Sequence, residues 1–135
     1  MHMPLKALAC VFLIIVSTLC AAQGIAWNSW SDAVFERAKK ENRFILLDLE
    51  ALWCHWCHVM DEQTYHDDAV VNLIRERYIA VRVDHDARPD LSRRYEDYGW
   101  PATIVFSPDG GEIVKRSGFI APRPFASLLA AIVDD

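Results

Sequence analysis

The sequence has no excess of positive charge, because its 14 lysine and arginine residues are outnumbered by 19 aspartate and glutamate residues. A nucleic-acid-binding surface needs the opposite balance, so the composition does not favour that class of function. The chain also lacks the length for two ordinary domains, since it has only 135 residues. Its hydrophobic content of 53% is enough to bury the core of one domain.

The longest apolar run stops short of the length that a membrane-spanning helix needs. Residues 8–22 are almost entirely apolar and uncharged, follow the single cation Lys6 and end in small residues before Gln23. A spanning helix takes about 20 such residues, whereas this layout is typical of a secretory signal peptide. We therefore expect residues 1–22 to be a signal peptide cleaved near Ala22, with no stable membrane insertion afterwards. A retained membrane anchor is the alternative.

The chain has only four cysteines, and cleavage of the predicted signal peptide would remove two of them. Of the four cysteines, Cys10 and Cys20 lie within the predicted signal peptide, so the mature domain keeps only Cys54 and Cys57. A pair three positions apart cannot stabilise a fold by closing a long loop. We expect such a pair in an exported chain to be chemically active. Removal of Lys6 also leaves 13 basic and 19 acidic residues, a formal charge of −6 that favours solubility.

Helical and strand patterns alternate along residues 23–135, without repeats or low-complexity linkers. The predicted strands cover residues 44–51, 78–84, 102–106 and 112–116, with a short additional strand at 24–27. The predicted helices cover residues 32–42, the cysteine motif with its continuation through 58–63, and residues 70–74, 89–97 and 122–133. The nearly continuous apolar run at 44–51 indicates a central strand covered on both faces. The βαβ order implies parallel pairing and the final hairpin an antiparallel edge, which together predict a small α/β sheet.

The motif Cys54-His55-Trp56-Cys57-His58 follows the predicted central strand and begins a predicted helix. At a helix N-terminus, free N–H groups and the helix dipole stabilise a thiolate, which is the nucleophilic form of cysteine. His55 and His58 would act in the same direction when protonated. Cys57 lies about one turn further on, where it can attack a mixed disulfide and release the product.

The stretches WCHWCHVMDEQTY, VRVDHDARPDLSRRY and GWPATIVFSPDG resemble the thioredoxin-like domain of the DUF255 family, which includes the spermatogenesis-associated protein 20 group. The wider resemblance to the thioredoxin superfamily covers residues 30–133. It implies an α/β, thioredoxin-like fold with a central mixed sheet flanked by helices and a cis-proline loop. In that family a large helical barrel usually follows this domain. The chain is therefore either a stand-alone exported relative or a fragment of a longer protein, and we expect the former from its signal-like start.

The resemblance also assigns roles to individual residues. It makes Cys54 the attacking thiol and Cys57 the resolving thiol, so that their disulfide is the redox-active group and no further cofactor is needed. Asp48, six residues before Cys54, matches the buried acid that can take a proton from the resolving thiol. The basic partner of that acid is not matched, because Ala80 lies at its position and Arg82 lies two residues further on.

Three residues are predicted to bind substrate. Pro101 matches the cis-proline whose loop presents backbone to a substrate strand, and Trp100 precedes it. We expect Trp53 to shield one side of the disulfide. His66 and His85 are expected to be solvated loop residues.

The resemblance implies protein thiols and disulfides as partners, with a membrane or periplasmic electron donor, in the bacterial periplasm or outside the cell. The residues give two opposing indications of the direction of electron flow. Stabilisation of the thiolate favours an oxidant, whereas a tryptophan before the motif in exported relatives favours a reductant, which we prefer.

Several other interpretations of the cysteine pair stay open. The order C-x-x-C-H is formally the attachment signature of c-type haem. The pair could also be an inert disulfide, or could bind zinc with His55, His58 or His66, although closed zinc sites usually take two separated pairs of ligands. A non-catalytic module that holds peptides in a groove beside Trp100 and Pro101 is a further alternative.

Overall fold

The computed structural model describes residues 23–135, so the predicted signal peptide lies outside the described residues. The four strands are β1 (Phe44–Glu50), β2 (Tyr78–Asp84), β3 (Ala102–Phe106) and β4 (Glu112–Ser117). The five helices are α1 (Asp32–Glu41), α2 (His55–Gln63), α3 (Asp68–Arg77), α4 (Pro89–Arg94) and α5 (Pro122–Asp134), and a 3₁₀ turn covers Glu96–Tyr98. In the described residues, no helix combines the length and apolar character that crossing a membrane requires.

The sheet has the strand order β2-β1-β3-β4. Strand β1 pairs in parallel with β2 and antiparallel with β3, and β4 continues the sheet antiparallel to β3. The apolar run of β1 is buried from Ile45 to Leu49, as expected of a strand with neighbours on both sides and helices on both faces. The predicted fold class, an α/β mixed sheet flanked by helices, is therefore confirmed.

Alternation along β1 divides the core between the two faces of the sheet. Ile45, Leu47 and Leu49 pack on one face with residues of α1 and α4. Leu46 packs on the other face with residues of α2, α3 and α5. Because side chains two positions apart share a face, Asp48 points toward the same side as Leu46, beneath the helices that include α2.

The predicted short strand at 24–27 is wrong. Only Asn28 forms a bridge, which is parallel and pairs it with Val81. Its N–H donates to the Ala80 carbonyl at 2.9 Å, and its side-chain amide donates to the same oxygen. Ile25 and Trp27 contribute apolar side chains to the core instead of a hydrogen-bonded ladder, so the apolar character of this segment reflects packing.

Candidate active site

Cys54 caps the N-terminus of α2, immediately beyond the C-terminal end of β1. Its backbone is extended (φ −87°, ψ 110°), and its sulfur accepts a hydrogen bond from the Cys57 N–H at 3.2 Å. Cys54 and Cys57 form a disulfide, with their Cα atoms 5.3 Å apart. The predicted position of the motif between a strand and a helix is therefore confirmed. The Cys54 sulfur lies where helix N–H groups favour negative charge.

The disulfide is largely covered, and Trp100 forms part of its cover. Cys54 is 7% exposed and Cys57 is 4% exposed. Both cluster with Ala51, against which Trp100 packs. The Trp100–Pro101 peptide bond is cis, as predicted, and the Pro101 carbonyl accepts a hydrogen bond from the Gly118 N–H at 2.7 Å.

A rim of exposed apolar side chains surrounds the covered sulfurs. Leu52, Trp53 and Trp56 are all more than half exposed. The centroid of the Trp53 ring lies 6.0 Å from that of Trp100, and the shielding of the disulfide by Trp53 stays a prediction. His85, expected to be solvated, instead has its ring centroid 4.4 Å from that of Trp100.

A groove of about 320 Å³ lies beside the disulfide. It is lined by Trp56, Trp100, Gly118 and Phe119. The groove brings together the start of α2, the cis-proline loop and the turn between β4 and α5. Sequence reasoning identified the first two segments but not Phe119, which precedes α5 without any motif to mark it.

The remaining histidines of the motif region have separate surroundings. His55 is exposed, and its ring lies 5.3 Å from that of Trp56. The Nε2 atom of His58 lies 2.8 Å from the Leu52 carbonyl oxygen, to which it donates when that nitrogen carries the proton. His66 is exposed, as expected. Within residues 23–135, no three histidine, cysteine, aspartate or glutamate side chains are grouped so that they could hold a metal ion.

Asp48 is buried on the face of the sheet that α2 covers, with an exposed fraction of only 2%. It lies directly opposite Arg82 in the register of β1 and β2. The Arg82 Nε–H donates to Asp48 Oδ2 at 2.8 Å. The basic partner that the sequence comparison did not match at Ala80 is therefore provided by Arg82, because the parallel register places that residue beside the acid.

Burial dominates the electrostatics of this acid. It raises the pKa of Asp48 to about 7, and the attraction of Arg82 offsets only part of the effect. Burial also raises the pKa of Glu50, two residues further along β1. For Arg82, burial opposes the charge, but the carboxylates of Asp48 and Glu50 outweigh it, so the pKa of Arg82 is raised.

Two buried hydroxyl groups belong to the same part of the core. Thr103 faces Asp48 across the β1–β3 pair, and Tyr65 lies in the core cluster on the same face. The two hydroxyls neighbour each other, because Thr103 opposes the rise that burial causes in the pKa of Tyr65. Neither meets the full geometry of a hydrogen bond with a described residue. Neither residue was singled out from the sequence, since Thr103 lies within a short apolar strand segment and Tyr65 in a polar break between two helices.

Comparisons with known proteins agree with this geometry. Residues 17–129 match the family model Thioredox_DsbH, described as "Protein of unknown function, DUF255". Spermatogenesis-associated protein 20 of Rattus norvegicus is 33% identical over 123 residues, which are 82% of this chain and 16% of that protein. The thiol:disulfide interchange protein DsbD of Campylobacter jejuni is 28% identical over 95 residues, which are 64% of this chain and 16% of that protein.

The solution structure of a thioredoxin from Thermus thermophilus has the same fold, with a TM-score of 0.72 at 21% identity over 82% of this chain and 88% of that one. The chain spans only 12% to 16% of the length of the curated relatives it matches. The fold is thus thioredoxin-like, as the sequence resemblance implied, and the chain belongs to the DUF255 (Thioredox_DsbH) family.

Proposed function

We propose that this protein is an exported thiol-disulfide oxidoreductase that exchanges electrons with protein dithiols and disulfides. The observation that carries the proposal is the covered Cys54–Cys57 disulfide at the N-terminus of α2, packed against the residue that precedes a cis-proline. The similarity to a thiol:disulfide interchange protein supports the same chemistry. Export rests on the signal-like pattern of residues 1–22.

The reaction conserves electrons and protons in two exchange steps. In the reduced protein, the Cys54 thiolate attacks one sulfur of a substrate disulfide. The substrate S–S bond breaks, a Cys54–substrate disulfide forms, and the first substrate thiolate leaves and takes up a proton. The Cys57 thiolate then attacks Cys54, which forms the internal disulfide and releases the second substrate thiolate. The substrate gains two electrons and the protein loses two.

Asp48 is suited to assist the second step. Cys57 is buried and must lose its proton before it can attack. Asp48 points to the face that α2 covers, and its pKa of about 7 allows it to hold or release a proton near neutral pH. His55, exposed beside Trp56, would add positive charge near Cys54 at low pH.

The cis-proline loop offers a place for a substrate strand. In the part of the chain that the structure describes, the backbone N–H and C=O of Trp100 make no hydrogen bond, so both are free to pair with an extended segment. Trp53 and Trp56 supply exposed apolar surface on the same side. Protein substrates, whose disulfides lie in extended segments, fit this arrangement better than small disulfides.

Insulin reduction tests the proposed activity. The wild-type protein should accelerate dithiol-driven reduction of insulin. Cys54→Ser should abolish the acceleration, because the remaining thiol of the motif, Cys57, is buried and does not reach a protein substrate. Equal turnover by both proteins would refute the proposal. A Soret band with sharp α and β bands in the purified exported protein would instead support attachment of a c-type haem. The equilibrium reduction potential against glutathione tests our preference for a reductant.

A further inference from the structure

A single guanidinium connects three carboxylates beneath the active site. Arg82 donates from Nε to Asp48 and from Nη2 to Asp61, both at 2.8 Å. The Glu50 carboxylate lies 3.6 Å from the same Nε atom. The guanidinium carbon is also 3.9 Å from the centre of the Trp27 ring. Arg82 is therefore fixed by two charge-assisted hydrogen bonds and an aromatic face.

The two carboxylates that Arg82 binds directly belong to different parts of the mechanism. Asp48 lies on β1 and is the proposed proton acceptor. Asp61 lies on α2, four residues and about one turn after Cys57. Arg82 thus links the helix that carries the resolving thiol to the strand that carries the acid.

We propose that Asp61 is a positioning residue for the resolving step, because it holds the second arm of Arg82 and so keeps the guanidinium against Asp48. This inference rests on the proposed function and extends it to the regulation of proton transfer. Arginine suits the task because its planar fork presents separate N–H groups to two acceptors, whereas lysine offers a point charge.

The charges around Asp48 determine in which direction its pKa should move when Asp61 is removed. Arg82 is the neighbouring group that favours the charged form of Asp48, whereas burial, Glu50 and Asp61 all disfavour it. Tyr65 and Thr103 face the same region with neutral hydroxyls. If Asp61 acted only through its own charge, its removal would therefore lower the pKa of Asp48. If Asp61 holds Arg82 in place, its removal loosens the one favourable partner and raises that pKa.

The experiment follows the Asp48 carboxyl resonance by NMR as a function of pH in the oxidised protein. We expect Asp61→Ala, which removes the acceptor of the Arg82 Nη2 hydrogen bond, to move the titration midpoint to higher pH by about 0.5 to 1. Arg82→Lys, which keeps the charge but loses the fork, should move it in the same direction. Glu62→Gln removes an equal charge from the neighbouring, exposed position on α2 and should leave the midpoint unchanged within about 0.2.

A midpoint that stays constant or falls in Asp61→Ala would overturn the inference. So would an unchanged midpoint in Arg82→Lys, which provides a second test if the first variant folds poorly. In a companion measurement, the rate at which Cys57 resolves a Cys54 mixed disulfide is followed against pH. The midpoint of this pH dependence should rise in Asp61→Ala and not in Glu62→Gln. The titration needs no activity, so its failure is distinguishable from a failure of insulin reduction, which would overturn the proposed function.

Discussion

Asp48 is an ionisable residue held almost entirely away from water. It is almost fully buried, and its one ionic partner in β2 is itself shared with two other carboxylates. A charged carboxylate in such a place loses more hydration energy than a single shared guanidinium returns. The site therefore keeps an acid near its protonation midpoint at neutral pH, which suits proton exchange with a buried thiol.

This arrangement makes the stability of the protein depend on pH. The pKa of Asp48 rises from 3.8 to about 7 on folding, so between these values the folded protein binds more protons than the unfolded chain. The stability that this group contributes is present below pH 3.8 and is lost as the pH rises through about 7. From this group alone, the free energy of unfolding should fall by about 2 to 3 kcal/mol between pH 5 and pH 8.

Urea unfolding of the oxidised protein at the two pH values measures this difference. Asp48→Asn should remove most of the pH dependence, because amide protonation plays no part in this range. Asp109→Asn, at an exposed position in the turn between β3 and β4, should retain it. If Asp48→Asn and the wild type showed the same loss of stability, the burial argument would be wrong.

For single residues, the sequence predicts burial but not the partner across the neighbouring strand. The position of Asp48 in an apolar run indicated a buried acid, and this is where it lies. Alignment with thioredoxins indicated Ala80 as the position of its partner, whereas the β1–β2 register selects Arg82. Register depends on how whole strands dock, so a motif spacing along the chain could not provide it.

At the scale of elements, the candidate site lies where three segments of the chain meet. The start of α2 carries the disulfide, the cis-proline loop covers it, and the turn before α5 closes the groove with Phe119. Two of these segments carry sequence motifs, so their place in the fold was predictable. The third is positioned only by the hairpin of β3 and β4 and by packing of α5, which no local pattern encodes.

Phe119 should therefore contribute to recognition of protein substrates. Phe119→Ala should raise the KM for insulin by about threefold to tenfold, as expected for loss of about 1 kcal/mol of apolar contact. The rate of reaction with a small disulfide such as oxidised dithiothreitol should change little, since such a molecule does not fill the groove.

Ile113→Ala is the matched control for this measurement. It removes an exposed apolar side chain from β4, outside the groove lining, and should leave both parameters unchanged. An equal rise in KM in both variants would show that the groove does not select substrates.

At the scale of the whole molecule, hydrophobic patterning predicts the helices and strands better than it predicts the candidate site. Four strands and five helices were predicted within a few residues, because burial on one or both faces leaves a period that is readable along the chain. The exception, at residues 24–27, shows that apolar residues can pack on a sheet without joining it. The charge network around Arg82 depends on the assembled fold and had no such signal.

The overall charge also bears on the proposed partners. The formal charge of the chain is −5, whereas the rim around the disulfide is apolar. Encounter with partners is therefore expected to depend on apolar contact near the site more than on charge steering. The partners themselves stay a proposal, since the chain spans a small part of the curated relatives.

The most direct test of the central claim is to trap the covalent intermediate. Cys57→Ala, in reduced form, is incubated with a disulfide-containing protein such as insulin and analysed by intact-mass spectrometry under non-reducing conditions. Thiol-disulfide exchange through Cys54 predicts an adduct joined through that residue, which a thiol reductant removes and which Cys54→Ser fails to form. Absence of the adduct, or the same adduct with Cys54→Ser, would contradict the account, and thiol-independent binding by the double variant Cys54→Ser/Cys57→Ser would favour a peptide-binding module instead.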